Sequence, residues 1–375
     1  MRHNREFGIL VAITCVLLFF GLTMAYSASA VVGQKNMGDD YYYFKRMLAF
    51  SMLGAVALWL AASVRYEIWT RYWPVFYGIS TAALLLVFTP LGVYAGEARR
   101  SVYLGFTTLQ PSEFARLAVI FFLASFCSRK AEKLKNLKRG FLPAMAGVCL
   151  MAGLILAGRD LGIPLTIGLT ALIMLFIAGA RLTHLAATAG GAFVSLLLLI
   201  LIEPYRIKRL IVFIDPWKDP MNNGWQIIQS MAALGSGGVF GVGPGRGLQK
   251  YLYLPAVHTD FVFSIIGEEM GLVGTMIINL AFVSLAAVGL RIALKANNRE
   301  ASFLALGISF IISITAFINM AVASDMLPTK GITLPLVSYG GSSLIANMFA
   351  LGILMNIAVS SSKQELMQPV KGMNT

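Results

Sequence analysis

The residues best suited to chemistry in this 375-residue chain sit in one short run, His258-Thr259-Asp260-Phe261, directly ahead of a long apolar stretch. A carboxylate at the mouth of an apolar helix is partly desolvated, and desolvation raises its pKa toward that of a useful general base. The same placement suits an N-cap, because Thr259 or Asp260 could satisfy open N–H groups at a helix start. Spacing alone leaves both readings standing. Glu268 and Glu269 follow two helical turns later, which on a straight helix is about 12 Å deeper in the membrane. An ionised side chain facing lipid there is costly, so both must face protein. Glu113 with Arg116, and Arg159 with Asp160, are the candidate partners, as ion pairs that fix packing or serve function.

Other polar groups punctuate the apolar runs. Gln110-Pro111-Ser112-Glu113 reads as a helix start, with proline in the first position and an acid near the positive end of the dipole. Lys330 lies in Leu327-Pro328-Thr329-Lys330-Gly331, ahead of Ser338-Tyr339-Gly340-Gly341-Ser342-Ser343, whose small residues allow close helix approach. That lysine either snorkels as an anchor or binds an anionic headgroup. Glycines at 235, 237, 238, 241, 243, 245 and 247 lack the Lys-Ser/Thr of a phosphate loop and the Rossmann spacing. They make tight turns only, or with Arg246 and Lys250 offer N–H groups to a phosphate.

The elements that must position these residues are membrane helices. Hydrophobic residues make up 58% of the chain and charged ones 13%, and mean hydropathy is +0.76, a balance that excludes a soluble domain of this size. Apolar runs predict ten helices, near 7–30, 46–64, 73–90, 111–128, 141–157, 161–180, 184–203, 260–290, 302–323 and 338–360. A turn could hide between Ile277 and Val288. The first run is longer than a signal-peptide core and opens a series of similar runs, so it reads as a retained helix. The loop 204–259 is too apolar and aromatic for a plain linker, and it is expected to pack on the membrane surface, with turns at Asp215-Pro216-Trp217-Lys218-Asp219-Pro220. Cys15, Cys127 and Cys149 are scattered through apolar stretches, without metal or disulfide spacing.

The net charge of +13 belongs to loops rather than to a nucleic-acid face. Sixteen lysines and arginines fall in one set of short loops and ends and seven in the opposite set, which by the positive-inside rule puts both termini in the cytoplasm. The loops 91–110, 158–160, 204–259 and 324–337, which hold most of the unusual polar residues, then face outward. No internal repeat of the inverted transporter type is evident.

At these residues the chain resembles the SEDS family of peptidoglycan polymerases, the FtsW, RodA and SpoVE group. The likeness spans nearly the whole chain: Tyr26-Ser27-Ala28-Ser29, Ala98-Arg99-Arg100 leading to Gln110-Pro111-Ser112-Glu113, Asp160-Leu161-Gly162, the stretch from Arg209 to Gln229, His258-Thr259-Asp260-Phe261 with Gly267-Glu268-Glu269, and Pro328 through Ser343. It implies one all-α, ten-helix membrane domain over 1–375, multi-pass in the bacterial cytoplasmic membrane. The implied activity is a glycosyltransferase that joins lipid II units on the outer face and releases undecaprenyl pyrophosphate. Asp260 matches the family's essential aspartate, the implied base for the acceptor hydroxyl. Substrate contacts are implied for Arg99, Arg100, Lys330, His258, Thr259, Ser338 and Ser342. Glu113, Arg116, Asp160, Glu268 and Glu269 are expected as buried polar residues.

A divalent cation, Mg or Mn, is the one cofactor the resemblance suggests, with no organic group. A class B penicillin-binding protein and other division or elongation proteins are the implied partners, besides lipid II and the lipid-linked glycan. Lys330 within Pro328-Thr329-Lys330-Gly331 looks closer to the FtsW and SpoVE branch than to RodA. Leu252 and Ala256 stand where many relatives carry glutamates, and Gly158-Arg159 replaces a Gln-Pro or Glu-Pro pair. Two readings compete with the polymerase. A lipid II flippase would need a polar path through the bilayer, and a non-catalytic scaffold for a transpeptidase would be expected to lack Asp260.

Overall fold

The computed structural model describes residues 5–95, 98–103, 105, 107–202, 204–222, 224–251, 254 and 259–367. Fourteen α-helices run through the described residues: α1 Arg5–Ser27, α2 Ala30–Met37, α3 Tyr42–Ser63, α4 Glu67–Arg71, α5 Trp73–Leu86, α6 Pro111–Lys130, α7 Leu142–Ala157, α8 Gly162–Ile177, α9 Leu182–Ile202, α10 Pro204–Ile214, α11 Trp225–Ser236, α12 Val262–Lys295, α13 Arg299–Ala323 and α14 Gly341–Met367. Eight helices are long and apolar enough to cross a membrane, and the shorter apolar α5 and α8 fill the other two expected positions. The chain is a polytopic, all-α membrane protein.

Local chemistry sets several boundaries. Pro111 opens α6, Asn298 caps α13 by accepting from the Ala301 N–H at 2.8 Å, and Asp160 Oδ1 accepts from Gly162 N–H at 2.9 Å to start α8. The first helix stops at Ser27, short of the expected residue 30, and the chain turns into α2. No turn interrupts 277–288, which is continuous helix.

A small antiparallel sheet was not foreseen: β1 Gly92–Ala95, β2 Ala98–Tyr103 and β3 Thr108–Leu109. It lies at the end of the bundle opposite the Glu6–Lys295 ion pair, called the outer end below. Buried apolar side chains of α6, α13 and α14 form the centre of the core, while α9 is almost wholly uncovered by protein.

The main departure from expectation is in α12. Gly271 takes φ 64°, ψ −159°, a conformation open to glycine that breaks the helix in two. The limbs fold against each other: a Cβ on Gly267 would lie 3.4 Å from Thr275 Cγ2, although residues eight apart on a straight helix are separated by about 12 Å. The long limb descends toward Lys295, which pairs with Glu6 at the inner end of α1. The short limb 262–270 climbs outward instead. Its start is tied to Asn319, one turn inside the outer end of α13, and Ser264 meets Ser230, whose hydroxyl donates to the carbonyl of Ala323 at that end.

The break frees backbone groups that the 237–243 segment then satisfies. Val242 and Gly243 donate to the carbonyls of Glu268 and Glu269 at 2.9 and 3.1 Å, while Leu272 and Val273 donate to those of Gly238 and Val239 at 2.9 and 3.1 Å. Irregular backbone at this depth is tolerated because other protein backbone completes it. Gly241, at φ 80°, is packed so closely that a Cβ would sit 2.2 Å from the Glu269 carbonyl oxygen. The 204–259 loop is thus partly built into the bundle, with Ser230, Ala233 and Lys250 buried, rather than laid on the membrane surface as expected.

Candidate active site

The short limb of α12 begins beside a cavity of about 390 Å³ at the outer end. Asp260 and Thr259 line it, together with Arg100 from β2, Arg46 from α3, Glu113 and Arg116 from α6, and Ser342 from α14. Thr315, which also lines it, lies eight residues, about 12 Å, inside the outer end of α13, so the cavity dips below the helix ends.

Two contacts fix the Asp260 segment, and the side chains that make them also hold Ile332 and Leu334. Asn319 Nδ2 donates to the Asp260 carbonyl at 2.9 Å and to that of Ile332 at 2.7 Å, so one buried amide ties two walls together. Ser338 Oγ donates to the Thr259 carbonyl and accepts from the Leu334 N–H. The N-cap position of α12 is Phe261, without a side-chain cap, so neither Thr259 nor Asp260 fills the capping role. Burial pushes the Asp260 carboxyl up to about 6. Arg100, Arg209 and a hydrogen bond from Thr259 pull the other way, and the nearby Asp160 adds to the rise.

The adjacent arginines part company. On a strand successive side chains point to opposite faces. Arg100 faces the cavity and donates to the Gly331 carbonyl at 3.2 Å. Arg99 turns away, donating to the carbonyls of Phe88 and Thr89 and lying 5.5 Å above the Tyr94 ring. It anchors the sheet and does not line the cavity.

Lys330 is half-buried in the next loop, outside the cavity lining, and burial pushes its ammonium pKa down. Ser342 accepts from the Gln110 N–H at 3.0 Å. His258, Leu252 and Ala256 lie outside the described residues.

The five expected buried polar residues are all buried, but their partners differ from expectation. Glu113 pairs with Arg116 on its own helix at 2.7 Å, and Arg116 also donates to Asn347 at 2.8 Å. Asp160 accepts the Gly162 N–H at the start of α8, and burial raises its pKa. Glu269 pairs neither with Arg116 nor with Arg159. It takes Lys250 at 2.8 Å, Ser27 at 2.6 Å and the Gly245 N–H at 2.9 Å, while Glu268 accepts the N–H groups of Leu248 and Gln249. In the glycine-rich turns the N–H groups of Gly245, Leu248 and Gln249 are thus taken by carboxylates of α12. The bend also places this pair farther out than Asp260, not 12 Å deeper.

The model of the cell cycle protein family that spans FtsW, RodA and SpoVE matches residues 8–363. The chain belongs to this family. It is 41% identical over 93% of its length to the probable peptidoglycan glycosyltransferase FtsW of Trichlorobacter lovleyi, covering 92% of that protein. To stage V sporulation protein E of Bacillus subtilis it is 40% identical, covering 93% and 95% of the two chains. These relatives place it on the FtsW/SpoVE branch. Among solved structures, a chain from a peptidoglycan synthase complex that coordinates polymerization and crosslinking aligns with TM-score 0.74 and 27% identity over 94% of this chain and 97% of that one. The rod shape determining protein RodA of Thermus thermophilus aligns with TM-score 0.65 and 26% identity over 94% and 96%.

Sequence reading missed Arg46 and Asn319. Arg46 is the first residue of the expected 46–64 helix, and its place one turn into the aromatic start of α3 is a signal that could have marked it. Asn319 is a lone amide in an apolar run, a signal that was present and passed over.

Proposed function

We propose that this chain is a peptidoglycan glycosyltransferase that polymerises lipid II at the outer face of the cytoplasmic membrane, with Asp260 as general base. The observation that carries this reading is a carboxylate of weakened acidity, recessed below the helix ends beside Arg100, in a polar cavity of a membrane bundle. Asp260 takes the proton of the acceptor sugar's 4-hydroxyl. The freed oxygen attacks the anomeric carbon of the donor sugar, whose bond to the lipid diphosphate breaks. Negative charge grows on the departing diphosphate, and Arg100 on the cavity wall stabilises it.

Among the described residues no three His, Cys, Asp or Glu groups converge as a metal site would need, and Glu113 is already held by Arg116. A Mg or Mn ion would enter with the substrate diphosphates. The termini are assigned to the cytoplasm by loop charge, and a class B penicillin-binding transpeptidase is the partner that would cross-link the product. The likeness to a chain of a synthase complex supports that pairing.

Purified full-length protein supplied with lipid II in detergent, with and without that transpeptidase, tests the reading. Glycan strands from the wild type and none from Asp260→Asn are expected. Transfer of lipid II across vesicles without strand formation would replace the reading by the flippase alternative.

A further inference from the structure

We propose that Arg46, on the cavity wall formed by α3, is the binding residue for the diphosphate of the acceptor lipid. The inference rests on the polymerase reading and adds a second anion subsite to it. In that reaction two lipid-diphosphate sugars meet, and only the donor loses its diphosphate. The acceptor keeps one, a disaccharide's length from the hydroxyl that Asp260 deprotonates. The site therefore has two diphosphates to hold at once, at different distances from the base.

The cations of the cavity divide accordingly. Of its five charged lining residues, Glu113 and Arg116 neutralise each other. Arg100 stands near enough to Asp260 to act on its carboxylate, as does Arg209 from outside the lining. Among the described residues no carboxylate lies within ion-pair distance of Arg46. Among the described residues its guanidinium donates to two neutral oxygens, Tyr42 Oη at 2.8 Å and Thr107 Oγ1 at 3.2 Å.

A snorkelling interface anchor is the alternative for an arginine beside tyrosines at a helix end. Its neighbour Lys45 behaves in that way, with its side chain 66% exposed and paired to Asp39 at 2.8 Å. Arg46 turns the opposite way and lies 5.6 Å over Tyr42 and 5.8 Å over Phe50. It sits one turn inside the outer start of a helix whose next turns present Met52, Leu53, Val56 and Trp59 outward to lipid. That is the level at which the diphosphate of a lipid in the outer leaflet rides. Tyr43 and Tyr339, packed edge to face with centroids 5.1 Å apart, close the same wall and give a sugar ring an aromatic surface.

The test compares Arg46→Gln, which keeps hydrogen bonding without charge, with Arg46→Lys, which keeps the charge. Initial polymerisation rates are measured against lipid II concentration, and lipid II binding is measured on Asp260→Asn with and without Arg46→Gln. Expected results are a KM for lipid II raised about ten- to hundredfold by Arg46→Gln with kcat within a few fold, near recovery by Arg46→Lys, and weaker binding to the double variant in the same proportion. Unchanged KM and binding, a fall in kcat alone, or equal loss in the Lys variant would each overturn the proposal. An Asp260→Asn protein that still polymerises would sink the assigned base instead, and the KM comparison at Arg46 would still be read.

Discussion

The two ends of the short α12 limb carry acids that the sequence makes look alike and the structure makes opposites. At the outer apex Glu269 is fully buried and saturated: a lysine, a serine hydroxyl and a backbone N–H all converge on it. At the inner start, Asp260 is only partly covered, has its backbone tied by Asn319, and turns its carboxylate toward a cavity. The first arrangement spends every lone pair on packing, and the second keeps them for a substrate. Burial alone does not mark a functional acid; incomplete satisfaction beside a cavity does.

Breaking the inner end gives the largest expected effect. Asp260→Asn lowers kcat by about 10²–10⁴-fold, the usual share of a general base, in a lipid II polymerisation assay. The same change raises thermal stability. A carboxyl whose folded pKa of about 6 exceeds its ordinary 3.8 favours the folded state only when protonated, and at neutral pH it opposes folding by about 1–3 kcal/mol. A thermal melt checks this, and a lower Tm would mean that Asp260 is held by contacts rather than strained by burial.

At the apex the signs reverse. Lys250→Met leaves Glu269 buried without its cation and costs about 3–5 kcal/mol of stability, whereas Lys250→Met with Glu269→Leu recovers most of that loss. Urea or thermal unfolding in detergent reads the difference. Acidification separates the two ends further. Activity falls about tenfold per pH unit below about 6, as Asp260 takes up its proton, and is flat above it, a profile that kcat measurements from pH 5 to 8 check. Smallest is Ser338→Ala, which loosens the Thr259 carbonyl and leaves the Leu334 N–H unpaired. It costs about 1–2 kcal/mol in stability, read from the shift in thermal midpoint.

Helix positions were legible because apolar length is a strong signal: α6 starts at the expected Pro111, and α13 ends at the expected Ala323. The bend at Gly271 was not, since hydropathy runs unbroken through it and a single glycine is ordinary in a membrane helix. Losing the bend inverted the depth of Glu268 and Glu269 and hid Lys250 as the partner of Glu269, because the 237–250 turns could not be folded onto α12 from spacing. Treating Arg99 and Arg100 as one unit failed for a simpler reason. They lie on a strand, where neighbours face apart, and nothing in the apolar pattern announced a strand.

The Gly271 bend also sets an order of events during synthesis. The short limb cannot insert as a spanning segment, and it is held by residues far apart in the chain: Ser27 at its apex, Asn319 and Ser338 at its start. The last of these is made only after α13 and most of the loop that follows it. A nascent protein therefore leaves Asp260 unpositioned until Ser338 has been made. Chains stopped before residue 338 are inert rather than partly active, which spares the membrane a half-built polymerase.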